Sequence, residues 1–256
     1  MAQTLRFCSW NIQVGMRRRA LLDIIKNYPD FQNLDVLALQ EASAHEHGDD
    51  ASSIAHLLGE SYRSYHHIYH RVKTRPQANA LVWNSTRVQF DSIEHHILPN
   101  LTEAQIPRAE RAVLNRLKPQ PRVNLIGSGS WNSVTLRVCA AHLDVMGYRF
   151  KRQQFRAVLD DLRVRPATEI TILAGDFNTF RIGGRPTWAQ LKRDAAELGL
   201  RAVTDKIQWT QAIRSIRLRQ KLDEIFVTSA RPYRARVWTL DVYGSDHLPV
   251  FADLEL

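Results

Sequence analysis

The apolar positions of this chain follow two periods, short strand-like runs and longer stretches with one apolar helical face. Leu5 to Trp10 reads as a strand, and Leu21, Leu22, Ile24 and Ile25 then share one side of a helix. "DVLALQ" (35–40) is an uninterrupted apolar run of the kind buried on both faces of a sheet. "SSIAHLLGE" (52–60) has helical spacing, with Asp50 to Ser52 as its capping residues. "YHHIYH", "ANALVWN" and "VQFDSIEHHIL" are three further strand-like runs. "RAVLNRLK" and "SVTLRVCAAHL" complete a β-rich middle, and in the second of these Val134, Leu136, Val138 and Ala140 alternate along one face.

From Tyr148 to Arg165 the pattern is an amphipathic helix with Phe155, Val158, Leu159 and Leu162 inward, ending before Pro166. "EITILAG" is a buried strand, and "PTWAQLKRDAAELG" is a helix begun by proline and closed by glycine. "KLDEIFVTS", "ARVWTLDV" and "LPVFADLEL" are the last strands. Residues 98–132, with "EAQIPRAER" and "IGSGSW", are the least regular and read as including a surface loop. No repeat or Pro/Gly-rich linker divides the chain, so residues 1–256 are expected to form one domain. Strands outnumber helices and hairpin-like pairs occur, which points to mixed sheets layered with helices, an α+β arrangement.

The 256 residues are 44% hydrophobic and 24% charged, enough for a full core. No apolar run reaches the length of a membrane span, and the N-terminus lacks the pattern of a signal peptide. The two cysteines, Cys8 and Cys139, lie in apolar strands, so no disulfide or zinc framework is implied and a cytoplasmic location is expected. The net charge of +9 changes the picture more, because fields of that sign attract phosphate-rich partners. Arginine clusters recur at 16–19, 149–156, 214–221 and 231–236. They favour a polyanion or an anionic surface without choosing between nucleic acid and lipid headgroups.

The chemical signal is a repeated ending. Apolar runs lead into Asn11, Glu41, His142, and Asp176 with Asn178, and two later acids, Asp223 and Asp246, follow, the second beside His247. Each has an ordinary reading alone: a turn, a strand cap, a core histidine, an ion pair with Lys221. Together they place ionisable groups at the rim of a sheet, where such groups are tolerated and active sites collect. The alternation of Tyr and His in "SYHHIYHR" (64–71) lacks cysteines or an acidic partner and reads as an ordinary strand rather than a zinc site.

"WNI" (10–12), "LQE" (39–41), "AHLD" (141–144), "GDFN" (175–178), "LDEIFV" (222–227) and "SDHLPV" (245–250) occur in an order that spans nearly the whole chain. In these pieces the sequence resembles the endonuclease/exonuclease/phosphatase superfamily. The resemblance implies a deoxyribonuclease I-like fold of four layers, with two mixed β-sheets face to face and helices outside. It also implies a phosphoesterase site dependent on Mg²⁺ or Mn²⁺. By similarity Glu41 is the main metal ligand with Asn11 assisting, and Asp246 joins the metal shell or the surroundings of His247. Asp176 orients and deprotonates the attacking water, and Asn178 donates to the nucleophile or the phosphate. His142 and His247 hydrogen-bond the phosphate, and Asp223 fixes the tautomer of His247.

The histidine of "AHLD" stands where abasic-site endonucleases carry a "YxPN"-type segment, which disfavours that activity. The inositol-polyphosphate phosphatase signatures "WxGDxNYR" and "PAWCDRIL" are absent, and the chain looks most like small bacterial members of the superfamily. Arg181, Arg185 and Trp188 follow "GDFN" closely and are candidate substrate contacts, with core packing as the other reading of Trp188. Trp209 lies on a later basic segment. The favoured activity is a phosphodiesterase acting on DNA or RNA. A phospholipid headgroup or small phosphorylated molecule is the enzymatic alternative, and a catalytically silent phosphate-binding module is the alternative outside enzymes.

Overall fold

The computed structural model describes residues 3–45, 48–72, 74–100, 102, 120–145, 147–179, 187–213 and 217–256. Sixteen strands and four α-helices are described within them. The strands are β1 (Thr4–Asn11), β2 (Val36–Ala42), β3 (Ala44–His45), β4 (Gly48–Asp49), β5 (Tyr62–Val72), β6 (Arg75–Asn84), β7 (Val88–Ile97) and β8 (Val123–Trp131). They continue with β9 (Val134–His142), β10 (Ile170–Asp176), β11 (Arg201–Ala202), β12 (Gln211–Ile213), β13 (Leu218–Gln220), β14 (Asp223–Ser229), β15 (Arg234–Thr239) and β16 (Val250–Glu255). The helices are α1 (Arg18–Asn27), α2 (Asp50–Leu58), α3 (Tyr148–Val164) and α4 (Thr187–Ala196).

Two six-stranded mixed sheets carry the architecture, in the orders β15-β16-β1-β2-β6-β5 and β11-β14-β10-β9-β8-β7. Each has one parallel pair at its centre, β1 with β2 and β9 with β10, among antiparallel neighbours. Successive side chains of a strand point to opposite faces, and that rule explains the unbroken apolar runs. Val36 and Ala38 face the layer between the sheets, while Leu37 and Leu39 face a second cluster with Leu21 and Ile25 of α1 and Ile54 of α2. In the other sheet Ile172 and Ala174 point inward, and Leu173 packs in a third cluster with Phe155 and Val158 of α3 and Leu191 of α4. Three apolar layers between two sheets and two sets of helices make the four-layered α+β sandwich.

Two expectations are corrected. "IGSGSW", counted among the least regular residues, is the greater part of β8, a regular strand paired with β7 from Val88↔Trp131 to Ile97↔Val123. Its small residues have a steric cause: β7 bulges between Phe90 and Ser92, and a Cβ at Gly129 would collide with the Gln89 carbonyl. The cap of α2 is Asp49, not a residue of 50–52 alone: Asp49 Oδ1 accepts from the Ser52 amide at 2.8 Å, and the Ser52 hydroxyl accepts from the Asp49 amide at 3.3 Å. Asp50 is instead turned inward, accepting from the Ser43 amide at 2.9 Å. "EAQIPRAER" and "RAVLNRLK" lie outside the described residues. No helix among the described residues is long and apolar enough to cross a membrane.

Candidate active site

The two central parallel pairs end at one rim. Asn11 closes β1 beside Gln40, so Glu41 stands one residue further along β2. Asp176 closes β10 with His142 of β9 on one side and Asp223 of β14 on the other. Register therefore gathers two of the expected residues in one sheet and three in the other. Past β10 the chain turns sharply, with Asn178 at φ +49°. Phe177 anchors the turn, its ring 5.5 Å from Phe155 and 5.6 Å from Phe226. Gly175 precedes it at φ +146°, where a Cβ would strike the Ala141 carbonyl, so this position accepts only glycine.

Asp176 is the hub. Its Oδ2 accepts from Asn11 Nδ2 at 3.0 Å and its Oδ1 from the Asn178 amide at 2.9 Å. The same Oδ2 lies 3.7 Å from Nε2 of both His142 and His247. His247 is tied through Nδ1 to Asp223 Oδ2 at 2.7 Å, and Glu41 Oε1 is 3.8 Å from His142 Nε2. Asn178 Nδ2 donates to the Leu143 carbonyl at 2.9 Å, which locks the turn to the end of β9. Asp246 accepts from Gln211 Nε2 at 3.2 Å and from the Ser245 hydroxyl at 3.3 Å.

All of these side chains except Glu41 and Asp246 are buried. Burial pushes the Asp176 carboxyl up to about 7, against the pull of the His247 charge and its own hydrogen bonds. For His247 burial opposes the charged form, but the Asp223 and Asp176 carboxylates outweigh it and raise the imidazole well above its ordinary range. His142 goes the other way: burial, then the Arg122 and His247 charges, hold it well below. Glu41 is raised, chiefly by desolvation, with Arg122 and His247 restraining the shift and Asp246 adding to it. The two histidines thus face one carboxylate in opposite states.

The donor set suits a hard divalent cation. Glu41, Asn11 and Asp246 offer oxygens, and the Glu41 side chain keeps 21% of its exposure. Asp176, Asp223 and His247 also bring ligand atoms within 4.8 Å of one another. The short Asp223–His247 bond already occupies that trio, which is better read as an ion-pair network than as a metal cage.

Asn11, Glu41, His142, Asp176, Asn178, Asp223, Asp246 and His247 therefore stand together. Trp188 is not among them: its half-buried ring packs against the third core, 5.3 Å from Phe226, with Lys192 and Lys221 over it. Arg181 and Arg185 lie outside the described residues. Sequence reasoning missed Tyr69 and Arg122, whose hydroxyl and Nη1 each lie 3.0 Å from His142 Nδ1. Tyr69 was visible only as one ring of the Tyr/His alternation, and Arg122 only as a charge in the irregular segment. Thr210 and Ser245 were missed as well. Their hydroxyls bond the Asp223 amide and the Asn11 carbonyl, and such scaffolding leaves no pattern in sequence.

Residues 8–247 match the model of the Endonuclease/Exonuclease/phosphatase family. No curated protein matches the chain. Among solved structures, an endonuclease/exonuclease/phosphatase from Bacteroides vulgatus superposes with a TM-score of 0.73 at 15% identity, covering 99% of both chains. D. rerio TDP2 in complex with a single-strand DNA product gives 0.64 at 19%, covering 99% of this chain and 100% of that one. The mannosyl-6-phosphatase Bt3783 of Bacteroides thetaiotaomicron gives 0.68 at 14%, covering 98% and 99%.

Proposed function

Because the chain belongs to the endonuclease/exonuclease/phosphatase family, we propose that it is a divalent-metal-dependent phosphodiesterase that hydrolyses DNA or RNA with an activated water. The observation that carries this reading is the position of Asp176 Oδ2, 3.7 Å from Nε2 of each of two histidines, with Asn11 and Asn178 orienting the carboxylate. One phosphoryl group seated there can meet all three side chains.

In the proposed reaction Asp176 aligns the water and takes its proton as the oxygen attacks phosphorus, a task suited by a carboxyl whose pKa is near neutrality. His247, charged and held by Asp223, and His142 stabilise the charge that develops on the phosphoryl oxygens. Asn178 adds a hydrogen-bond donor beside them. Glu41 with Asn11 and Asp246 would hold Mg²⁺ or Mn²⁺, which would supply neutralisation of the charge that develops on the phosphate and the leaving oxygen.

Nucleic acid is favoured by charge and by a groove of about 520 Å³ lined by Trp209, Arg217 and Arg219, among others. The Arg219 guanidinium lies 4.5 Å over the Trp209 ring, an arrangement able to stack a base beside a phosphate. The groove adjoins the site, since Gln211 of β12 pairs with His247. D. rerio TDP2, crystallised with single-strand DNA, is consistent with this choice, while the mannosyl-6-phosphatase relative makes a small phosphomonoester the competing substrate. The test is a panel of single- and double-stranded DNA, RNA, phospholipids and phosphomonoesters assayed with Mg²⁺. Cleavage of a nucleic acid that vanishes in Asp176→Ala, in His247→Ala and in excess chelator is expected. Turnover that survives those changes overturns the mechanism, and turnover of phosphomonoesters alone overturns the substrate.

A further inference from the structure

An imidazole facing a phosphate can present a lone pair or an N–H, and the two act oppositely on an anion. His142 is fully buried, so its surroundings decide which it presents. On the Nδ1 side stand Arg122 Nη1 and the Tyr69 hydroxyl, both at 3.0 Å. A guanidinium only donates and keeps its protons throughout the working range. A hydrogen on Nδ1 would point at that donor, whereas a lone pair there accepts from it. The tyrosine hydroxyl rotates to suit either arrangement and does not choose.

Nε2 lies on the opposite edge of the ring, without a hydrogen-bond partner among the described residues, facing Glu41 Oε1 at 3.8 Å and Asp176 Oδ2 at 3.7 Å. Arg122 is itself unusual. It is 2% exposed just before β8, and its guanidinium has no carboxylate within ion-pair distance among the described residues. Burying a cation is costly, and the hydrogen bond to His142 is one of the contacts that hold it there.

We propose that Arg122 is a positioning residue that fixes His142 as the Nε2–H tautomer, with Tyr69 completing the clamp. His142 is thereby a donor into the pocket and neither a base nor a metal ligand. His247 is held oppositely, since its Nδ1 meets the acceptor Asp223 Oδ2 and carries the hydrogen. The catalytic use of the tautomer rests on the phosphoesterase reading, but the tautomer itself does not.

Ring nitrogen resonances of ¹⁵N-labelled protein near neutral pH, with His142 assigned by loss in His142→Gln, read the tautomer without any substrate. The wild type should show hydrogen on Nε2 and a lone pair on Nδ1. Arg122→Met should move population toward Nδ1–H or the doubly protonated ring, and Arg122→Lys, which keeps a donor-only cation, should restore the wild-type pattern. With the substrate found in the panel, kcat should fall about 10- to 100-fold in Arg122→Met and recover in Arg122→Lys. Hydrogen on Nδ1 in the wild type, or a ring unchanged in folded Arg122→Met, overturns the proposal. If Arg122→Met fails to fold, the wild-type and Arg122→Lys spectra decide alone. A correct tautomer in a protein that hydrolyses nothing removes the phosphoesterase reading and leaves the clamp, whereas hydrolysis with the wrong tautomer does the reverse.

Discussion

His247 Nδ1 lies 2.7 Å from Asp223 Oδ2, a charge-assisted hydrogen bond between two buried side chains from β14 and the loop before β16. The carboxylate keeps the ring charged and oriented toward Asp176. Asp223→Asn retains the shape but removes the charge, so kcat is expected to fall about 100-fold or more with the fold intact. Steady-state kinetics beside circular dichroism checks this, and a loss confined to KM would place the pair in substrate binding instead.

Glu41 is the half-open carboxylate of the pocket, opposite His142. Glu41→Gln should weaken metal dependence rather than the fold. Titrating Mg²⁺ or Mn²⁺ against thermal unfolding should raise the melting temperature of the wild type, because a ligand that binds only the native state stabilises it. The variant should show a much smaller rise, and equal rises in both would remove Glu41 from the ligand set.

Asp176 must lose its proton to act as base, and burial pushes that loss up to about pH 7. The rate is therefore expected to climb as pH rises through neutrality instead of reaching its plateau near the ordinary carboxylate range. A profile of kcat/KM from pH 5 to 9 measures it, at constant metal occupancy. A plateau already complete at pH 5 assigns the base elsewhere.

Glu224, buried on β14 beside Lys221 and Thr204, has its carboxyl pushed up to about 7, chiefly by desolvation. A raised folded-state pKa favours the protonated native state. Its stabilising contribution is fully present below the usual glutamate value and is lost as pH rises through about 7. Unfolding free energy of the wild type relative to Glu224→Gln should thus decline between about pH 4 and 8, by a few kcal/mol at most, on the order of 3 to 4. Denaturant titrations across that window test it, and a difference that grows with pH reverses the sign of the argument.

Much of the candidate site was legible because four of its side chains sit where an apolar run stops. The runs reveal strands through their burial on both faces, and Asn11, Glu41, His142 and Asp176 mark their ends. β8 was illegible for a local reason: Gly127 and Gly129 look like loop residues until the bulged β7 lies against them. Asp49 was passed over as the cap of α2 because neighbouring acids compete for that role in sequence, and only the inward turn of Asp50 decides between them.

Sequence by itself determined which residues end the strands and in what order, because periodicity is written into neighbouring positions. Only the tertiary structure decided which side chains meet. Asn11 and Asp176 are separated by 165 positions and joined at 3.0 Å, a contact made by the facing of two sheets. The same holds for Arg122 and Tyr69 on His142, and for the Trp188 ring against Phe226. Contacts of that kind depend on register and on the packing of layers, which no short stretch of sequence records.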